Sequence, residues 1–401
     1  MEYKKSKLIR NAIFAFVIIA AATLILMSQS DLKGIFDVIK TVDYRYLLAA
    51  FGVLVAYFIL NLVGIYILAK HRKVKIKTRD LFLIGGTEPF FNGITPFATG
   101  GQPFQVYALH RKGVSLDDGT AILVMNFITF MISTNIFAIA SLVYYEQFVS
   151  KIPNFTWIVI MGFVINFSVL VLMFSLALSK KLRNGCCHAI DWLAHKKMFA
   201  KMLNGKQEVF NNYFDGMQAG CMELLHKPSV LIGCIGSKLA SLVFYYAIPF
   251  FVLKAVSAPV TISNLLYIIL GTSFAVTMVV WVPTPGGTGG MELAFFSIFL
   301  TIEGMNQSLA ASSMALWRLY TYYFLMIVGF VFYIILEVLD SKERKARDLA
   351  LRAAPYIERD ARELEEQAGI SVETPTINET EETPKAEEIP QEKPKEVDSN
   401  D

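Results

Sequence analysis

Apolar residues in this chain gather in long runs, not at the spacing of a surface helix or the alternation of a half-exposed strand. Six runs, at about 11–28, 47–69, 118–144, 157–179, 229–253 and 310–339, approach or exceed the roughly 20 residues that a helix needs to cross a bilayer core of about 30 Å. Two further runs, 81–109 and 264–302, are interrupted by Gly and Pro, which end helices, and read as re-entrant hairpins. Residues 1–27 begin with Lys4, Lys5, Lys7 and Arg10 ahead of an apolar run. More spans follow without a convincing cleavage site, so this segment reads as an uncleaved first helix. The expected fold class is an all-α polytopic membrane protein with about 8 hydrophobic segments, 6 spans and 2 hairpins.

The connections set the orientation. With the N-terminus in the cytosol, segments 1–10, 70–80, 110–117 and 180–228 face the cytosol and carry 20 Lys and Arg, against five in 29–46, 145–156, 254–263 and 303–309. The bias holds only if both broken segments return to the side from which they enter. The chain then divides into 1–144 and 145–339, each with three spanning helices and one re-entrant hairpin, and the two halves start on opposite sides. This is an inverted-topology repeat. The breaks repeat as well: Thr95-Pro96-Phe97-Ala98-Thr99-Gly100-Gly101 and Thr284-Pro285-Gly286-Gly287-Thr288-Gly289-Gly290 both read T-P-x-x-T-G-G.

Composition agrees with a membrane body. Of all residues 54% are hydrophobic and 18% charged, with a mean hydropathy of +0.48, away from the roughly 25% charged of soluble domains. The net charge of +3 is a cancellation: residues 340–401 carry 18 acidic and 10 basic side chains, leaving the preceding body basic. Nothing points to nucleic acid as a partner. The loop 180–228 sets Trp192, Leu193, Phe199, Met202 and Leu203 among Lys196, Lys197, Lys201 and Lys206, a pattern for an interfacial helix. Val209, Phe210, Tyr213, Phe214 and Met217 suit a second one, or a cover for the protein's own core. Residues 340–401 read as a cytosolic charged helix followed, from Glu373 on, by a disordered Pro- and Glu-rich tail.

Non-helical backbone at membrane depth has to face protein or water, so the two breaks are expected to meet and line a cavity. Half-helix N-termini near Gly101 and Gly290 would offer N–H groups to a phosphate or carboxylate. The hairpin breaks are Pro96, Gly100, Gly101, Pro285, Gly286, Gly287, Gly289 and Gly290. Ionisable side chains in the apolar body are few, namely Glu88, Lys238, Glu292 and Arg318, and a charge there costs ~3 kcal/mol or more. Arg318 suits a phosphate, Glu292 or Glu88 an amine or a proton, and Lys238 a lipid phosphate. Ion pairing of Arg318 with Glu292 or Glu88, and of Lys238 with a carboxylate, is the structural alternative. Asn92, Thr95, Thr99, Gln102, Thr284 and Thr288 complete the candidate headgroup-binding set, or cap the broken helices. Asn126 and Asn166 read as interhelical hydrogen bonds.

No catalytic residue, metal site or cofactor is expected. The chain has no P-loop and no G-x-S-x-G elbow, and Gly287-Thr288-Gly289 starts like a dinucleotide fingerprint but has Glu292 at its third glycine. Cys186, Cys187, Cys221 and Cys234 fit no disulfide framework, and Cys186-Cys187-His188 with His195 lacks a metal-site spacing.

Asn92-Gly93-Ile94-Thr95-Pro96, Gly100-Gly101-Gln102-Pro103, Tyr107-Ala108-Leu109 and Gly113 resemble the membrane domain of the bacterial lysylphosphatidylglycerol synthase/flippase family. So does Pro283-Thr284-Pro285-Gly286-Gly287-Thr288-Gly289-Gly290-Met291-Glu292, followed by Arg318 and Tyr322. The resemblance covers about residues 10–340. It implies a lipid flippase that moves a phospholipid such as aminoacylated phosphatidylglycerol to the outer leaflet of the plasma membrane, with cationic-peptide resistance as the consequence. Full-length members add a cytosolic domain that transfers lysine to phosphatidylglycerol; the 61 residues after 340 are fewer than such a domain needs, so no transferase activity is expected here. Gln102, Pro103, Phe104 and Gln105 stand where family members often carry an Arg after the first Gly-Gly, which leaves the headgroup open. The expected partners are the phospholipid substrate, bilayer lipids, and a separate synthase or a second copy of the chain. Two other readings stay open: an embedded or accessory component of a phosphatidylglycerol lysyltransferase, and an ion-coupled small-solute transporter.

Overall fold

The structure, a computed structural model, describes residues 40–149, 156–194, 207–279, 282, 284–287 and 289–368. The expected first span at 11–28 and the chain from 369 on lie outside them. Among the described residues every regular element is a helix. By contacts the chain forms two units, 1–339 and 340–401. What is described of the second is the end of the last helix.

Helix α1 (Tyr44–His71) starts where the Asp43 side chain accepts from the Arg45 amide at 2.9 Å, and carries Lys70 in its last turn, where its positive charge suits the negative end of the helix dipole. The first hairpin follows as α2 (Thr78–Gly86), α3 (Glu88–Gly93), a 3₁₀ turn at Pro96–Ala98 and α4 (Gly101–Arg111). Helix α5 (Leu116–Ser141) is capped by Ser115 and runs on through short turns to Val149. Then come α6 (Thr156–Leu178), α7 (Lys180–Ala194), α8 (Gln207–Leu225) and α9 (Pro228–Ala255). The second hairpin is α10 (Leu265–Val279), a 3₁₀ turn at Pro285–Gly287 and α11 (Gly290–Phe299). The chain closes with α12 (Gln307–Arg318), a π-helical stretch at Leu319–Phe324 and α13 (Leu325–Ala368).

Among the described residues, six helical stretches are long and apolar enough to cross a membrane: Tyr44–His71, Leu116–Val149, Thr156–Leu178, Pro228–Ala255, Ile262–Val279 and Gln307–Ala346. The chain is thus a multi-span helical membrane protein. Five of these match runs read from the sequence. The sixth, Ile262–Val279, is the first limb of the second hairpin, and at 18 residues it spans ~27 Å, the depth of a bilayer core rather than half of it. Its return limb α11 has only 10 residues. The first hairpin shares this asymmetry, with α2 and α3 of 9 and 6 residues on the way in and α4 of 11 on the way out.

Helices α1 and α9 lie along one another, and α5 packs on α10 of the second hairpin. Helix α13 packs on the first hairpin through glycine. A Cβ on Gly86 would sit 1.9 Å from Phe332 Cδ2, and one on Gly329 would sit 2.8 Å from the Phe90 amide nitrogen. The apolar core falls into two main bodies. One holds Ala50 and Leu54 of α1 with Ile248 and Val252 of α9; the other holds Ile65 and Leu68 of α1 with Cys234 of α9. Between them, Asn61 and Lys238 put polar groups midway along both helices.

The second amphipathic stretch covers protein. Met217, Cys221 and Leu224 of α8 are buried in the second core body beside Ala121 of α5. Arg72 bonds both Asp118 of α5 and Glu223 of α8, and the Tyr213 hydroxyl meets Thr120 Oγ1 at 2.9 Å. Burial pushes the Cys221 thiol up to about 12, which keeps it protonated and unreactive. Trp192 of α7 is exposed, and the remainder of the first stretch, Phe199 to Lys206, lies outside the described residues.

Close helix approach predicts a sharp contrast between two glycines. A Cβ on Gly162 of α6 would lie 2.5 Å from Met278 Cα, backbone that cannot swing aside, whereas Gly52 of α1 has nothing within 4 Å. Gly162→Ala is expected to lower stability by about 1–3 kcal/mol, and Gly52→Ala to leave it level or raised. Thermal unfolding in detergent checks both.

Candidate functional site

The two breaks meet: the turn at Pro96–Ala98 packs on the turn at Pro285–Gly287. Their backbones also repeat. Phe97 and Ala98 have φ of 56° and 51°, and Gly286 and Gly287, at the same places in the second motif, have 60° and 67°. Glycine adopts this left-handed region freely. A side chain there costs roughly 1–2 kcal/mol per residue, so the first break carries strain that the second avoids.

Arg318 closes the second break. It ends α12 where the helix loosens into its π-helical stretch, and it is 4% exposed. Its Nε donates to Glu292 Oε1 at 2.7 Å, and both terminal nitrogens donate to the Gly286 carbonyl at 3.2 Å. Glu292 Oε2 accepts from the Gly289 amide at 2.6 Å, capping α11. The guanidinium stands 4.6 Å from the Tyr322 ring centre and 5.9 Å from that of Trp317, an attraction the low dielectric strengthens. Tyr322 joins the breaks: its hydroxyl donates to the Gly93 carbonyl at 2.9 Å, while its ring lies so near Gly286 that a Cβ there would be 2.1 Å from Cε2.

Neutral side chains close the first break. The Gly100 amide donates to Thr95 Oγ1 at 2.9 Å and the Gly101 amide to Asn92 Oδ1 at 2.8 Å, so the start of α4 is capped by the chain itself. Thr95 Oγ1 in turn donates to the Phe91 carbonyl at 2.8 Å. Asn92 Nδ2 reaches Glu88 Oε1 at 3.5 Å. Gln105 bonds Glu88 as well as the Gly85 carbonyl.

Lys238 lies elsewhere. It is 2% exposed in α9, and its Nζ donates to the backbone oxygen and Oδ1 of Asn61 at 2.7 and 2.8 Å, with Glu88 in electrostatic reach. The charged candidates therefore sort into two sets, Arg318 with Glu292 and Lys238 with Glu88. Among the neutral candidates, Asn92 and Thr95 act as caps, Gln102 is half-buried on the first turn of α4, Thr99 is exposed and Thr284 half-buried at the breaks, and Thr288 lies outside the described residues. Tyr57, Asn61 and Gln105 are polar partners that the sequence alone does not single out. Tyr57 and Asn61 are isolated in an apolar run and Gln105 follows the first Gly-Gly, and only tertiary pairing reveals what each meets.

Two stability measurements follow from this arrangement. Ala98→Gly relieves a left-handed alanine and is expected to stabilise by up to ~1 kcal/mol, while Gly287→Ala moves the same way in the opposite sense. Arg318→Met leaves Glu292 buried beside an unpaired carbonyl and is expected to cost about 3–5 kcal/mol, much of it recovered in Arg318→Met with Glu292→Leu. Denaturant unfolding in detergent reads all four variants.

No curated protein matches the chain in sequence. A family described as the lysylphosphatidylglycerol synthase TM region matches residues 12–329, an interval that holds both breaks, both charge sets and all six membrane-crossing candidates in whole or in part. The chain belongs to that lysylphosphatidylglycerol synthase membrane-region family.

Proposed function

We propose that this protein is a lipid flippase of a bacterial plasma membrane, handling a phospholipid such as aminoacylated phosphatidylglycerol and so contributing to membrane charge. Family membership and the six apolar helices already make its role a membrane lipid-related one. The observation that carries the finer reading is the buried Arg318–Glu292 pair, set on open backbone where the two breaks meet. A guanidinium offers a fork to a phosphate, and a carboxylate accepts an amine. A headgroup with both signs can trade places with the pair, phosphate on Arg318 and ammonium on Glu292, without leaving a lone charge at depth. The exposed face of Phe97 at the first break lets an apolar surface accompany the headgroup.

The pairing of α1 with α9, of α5 with the second hairpin and of α13 with the first supports two halves related as an inverted repeat, and the Lys and Arg bias of the connections supports an N-terminus and a tail in the cytosol. In that arrangement the breaks are the fixed centre and the halves rock around it.

Purified protein in liposomes, with fluorescent lipids of anionic, zwitterionic and aminoacylated headgroups, tests this. A membrane-impermeant quencher reports the exchange. The expected result is headgroup-dependent exchange, with both Arg318→Lys and Glu292→Gln at least ~10-fold slower, a loss of about 1.4 kcal/mol in transition-state stabilisation or more. Vesicles in which a known scramblase works while this protein moves no lipid would overturn the proposal.

A further inference from the structure

The apolar core is interrupted at its middle by a second charged set that the lipid reading leaves idle. Lys238 is almost wholly buried, and an ammonium there is costly unless something gives the charge a purpose or a partner. Its partners are unusual. Both bonds from Nζ go to one residue, Asn61, through the backbone oxygen and Oδ1. Two donated bonds leave an ammonium with one N–H donor over. Asn126 Oδ1 is buried nearby without a hydrogen-bond partner, and the absence of a side chain at Gly64 brings it and Lys238 together: a Cβ on Gly64 would sit 2.9 Å from Asn126 Oδ1 and 3.5 Å from Nζ. So an acceptor stands open beside an amine.

Glu88 completes the set from the hairpin side. It lies in electrostatic reach of Lys238 and accepts from Asn92 and Gln105. Asn92 is also the cap of Gly101, so the Glu88 carboxylate is one hydrogen bond away from the first break. An ionised carboxylate accepts from both amides, whereas a protonated one turns one of its oxygens into a donor, so that an amide bonded there must let go or turn its own oxygen to it. The state of Glu88 is therefore felt at the break. The other titratable groups around the set are Tyr57 of α1, which faces Glu88, and Cys234 of α9, which faces Lys238 and sets its Sγ 3.7 Å from the Gly64 carbonyl. Tyr245 and Tyr246 of α9 face Tyr57, and Arg318 acts on Tyr245. Among the described residues no second carboxylate acts on Glu88. The low dielectric favours its neutral form, while Lys238 and the two amides favour its charged form. Such opposed pulls suit a group that takes up and releases one proton.

We infer that Glu88 and Lys238 form a proton site, distinct from the Arg318–Glu292 pair, through which a proton gradient drives the lipid step by loading Glu88 and loosening the Asn92 cap of the first break. This rests on the transport reading for its purpose, not for its existence. One proton binds per cycle, taking the pair from neutral to a single positive charge.

Two measurements separate the parts. Infrared difference spectra of the purified protein across pH steps are expected to show a carboxylic C=O band that titrates in the native chain, persists in Glu292→Gln, moves in Lys238→Met and in Glu88→Asp, and vanishes in Glu88→Gln. Identical spectra for the native chain and both Glu88 variants would overturn the proton site, whatever the lipid assay shows. Glu88→Asp keeps the test open where Glu88→Gln does not fold. In liposomes loaded with a pH-sensitive dye, an imposed pH gradient is expected to raise the rate of lipid exchange at least ~3-fold, with proton movement alongside it, and Glu88→Gln is expected to lose that response. Exchange that ignores the gradient in the native chain would overturn the coupling and leave the flippase reading standing. A titrating Glu88 in a protein that moves no lipid would do the reverse.

Discussion

Broken helices inside a membrane leave backbone groups that lipid cannot satisfy, and the structure is organised around meeting that need. Each break exposes carbonyls and amides at depth, and each is met by side chains. Arg318 takes the Gly286 carbonyl, Tyr322 the Gly93 carbonyl, Glu292 the Gly289 amide, and Thr95 and Asn92 the amides of Gly100 and Gly101. The same fact explains how a guanidinium can be buried. Its donors need acceptors, and open carbonyls supply them. Break and charge are each tolerable because the other is there.

How much of this is legible in the sequence depends on how local each signal is. Glycine and proline interrupt an apolar run wherever it folds, so both breaks and their repeated T-P-x-x-T-G-G pattern stand out in the sequence itself. Two isolated charges of opposite sign, Arg318 and Glu292, likewise suggest a pair, and they form one. Other features depend on what lies across the fold. The apolar side of α8 has the same periodicity whether lipid or protein covers it, and only the contacts of Met217 and Cys221 decide for protein. The left-handed backbone at Phe97 and Ala98 has no glycine to announce it. The second break adopts the same conformation with glycine at both places, the residue type that makes it easy.

The length of the second hairpin shows the limit of reading spans by composition. A run of 18 apolar residues and a half-membrane limb look alike when a break follows, because composition measures polarity and not depth. What limb length leaves undecided the contacts supply: the turn at Pro96–Ala98 packs on the turn at Pro285–Gly287.

Charge balance ties these parts together. Near the breaks, two sets bring opposite charges together, Arg318 with Glu292 at the second break and Lys238 within electrostatic reach of Glu88 near the first. Each set is neutral in sum, so neither drives the bundle apart, yet each keeps polar groups where a wholly apolar core would be more stable. A neutral pair is also a filter. A lone anion or cation entering at Arg318 or Glu292 has to strand one partner in low dielectric, at a cost of several kcal/mol, whereas a group with both signs strands neither. For the lipid site proposed above, selectivity would thus lie less in either charge than in the requirement that the pair open and close as a unit.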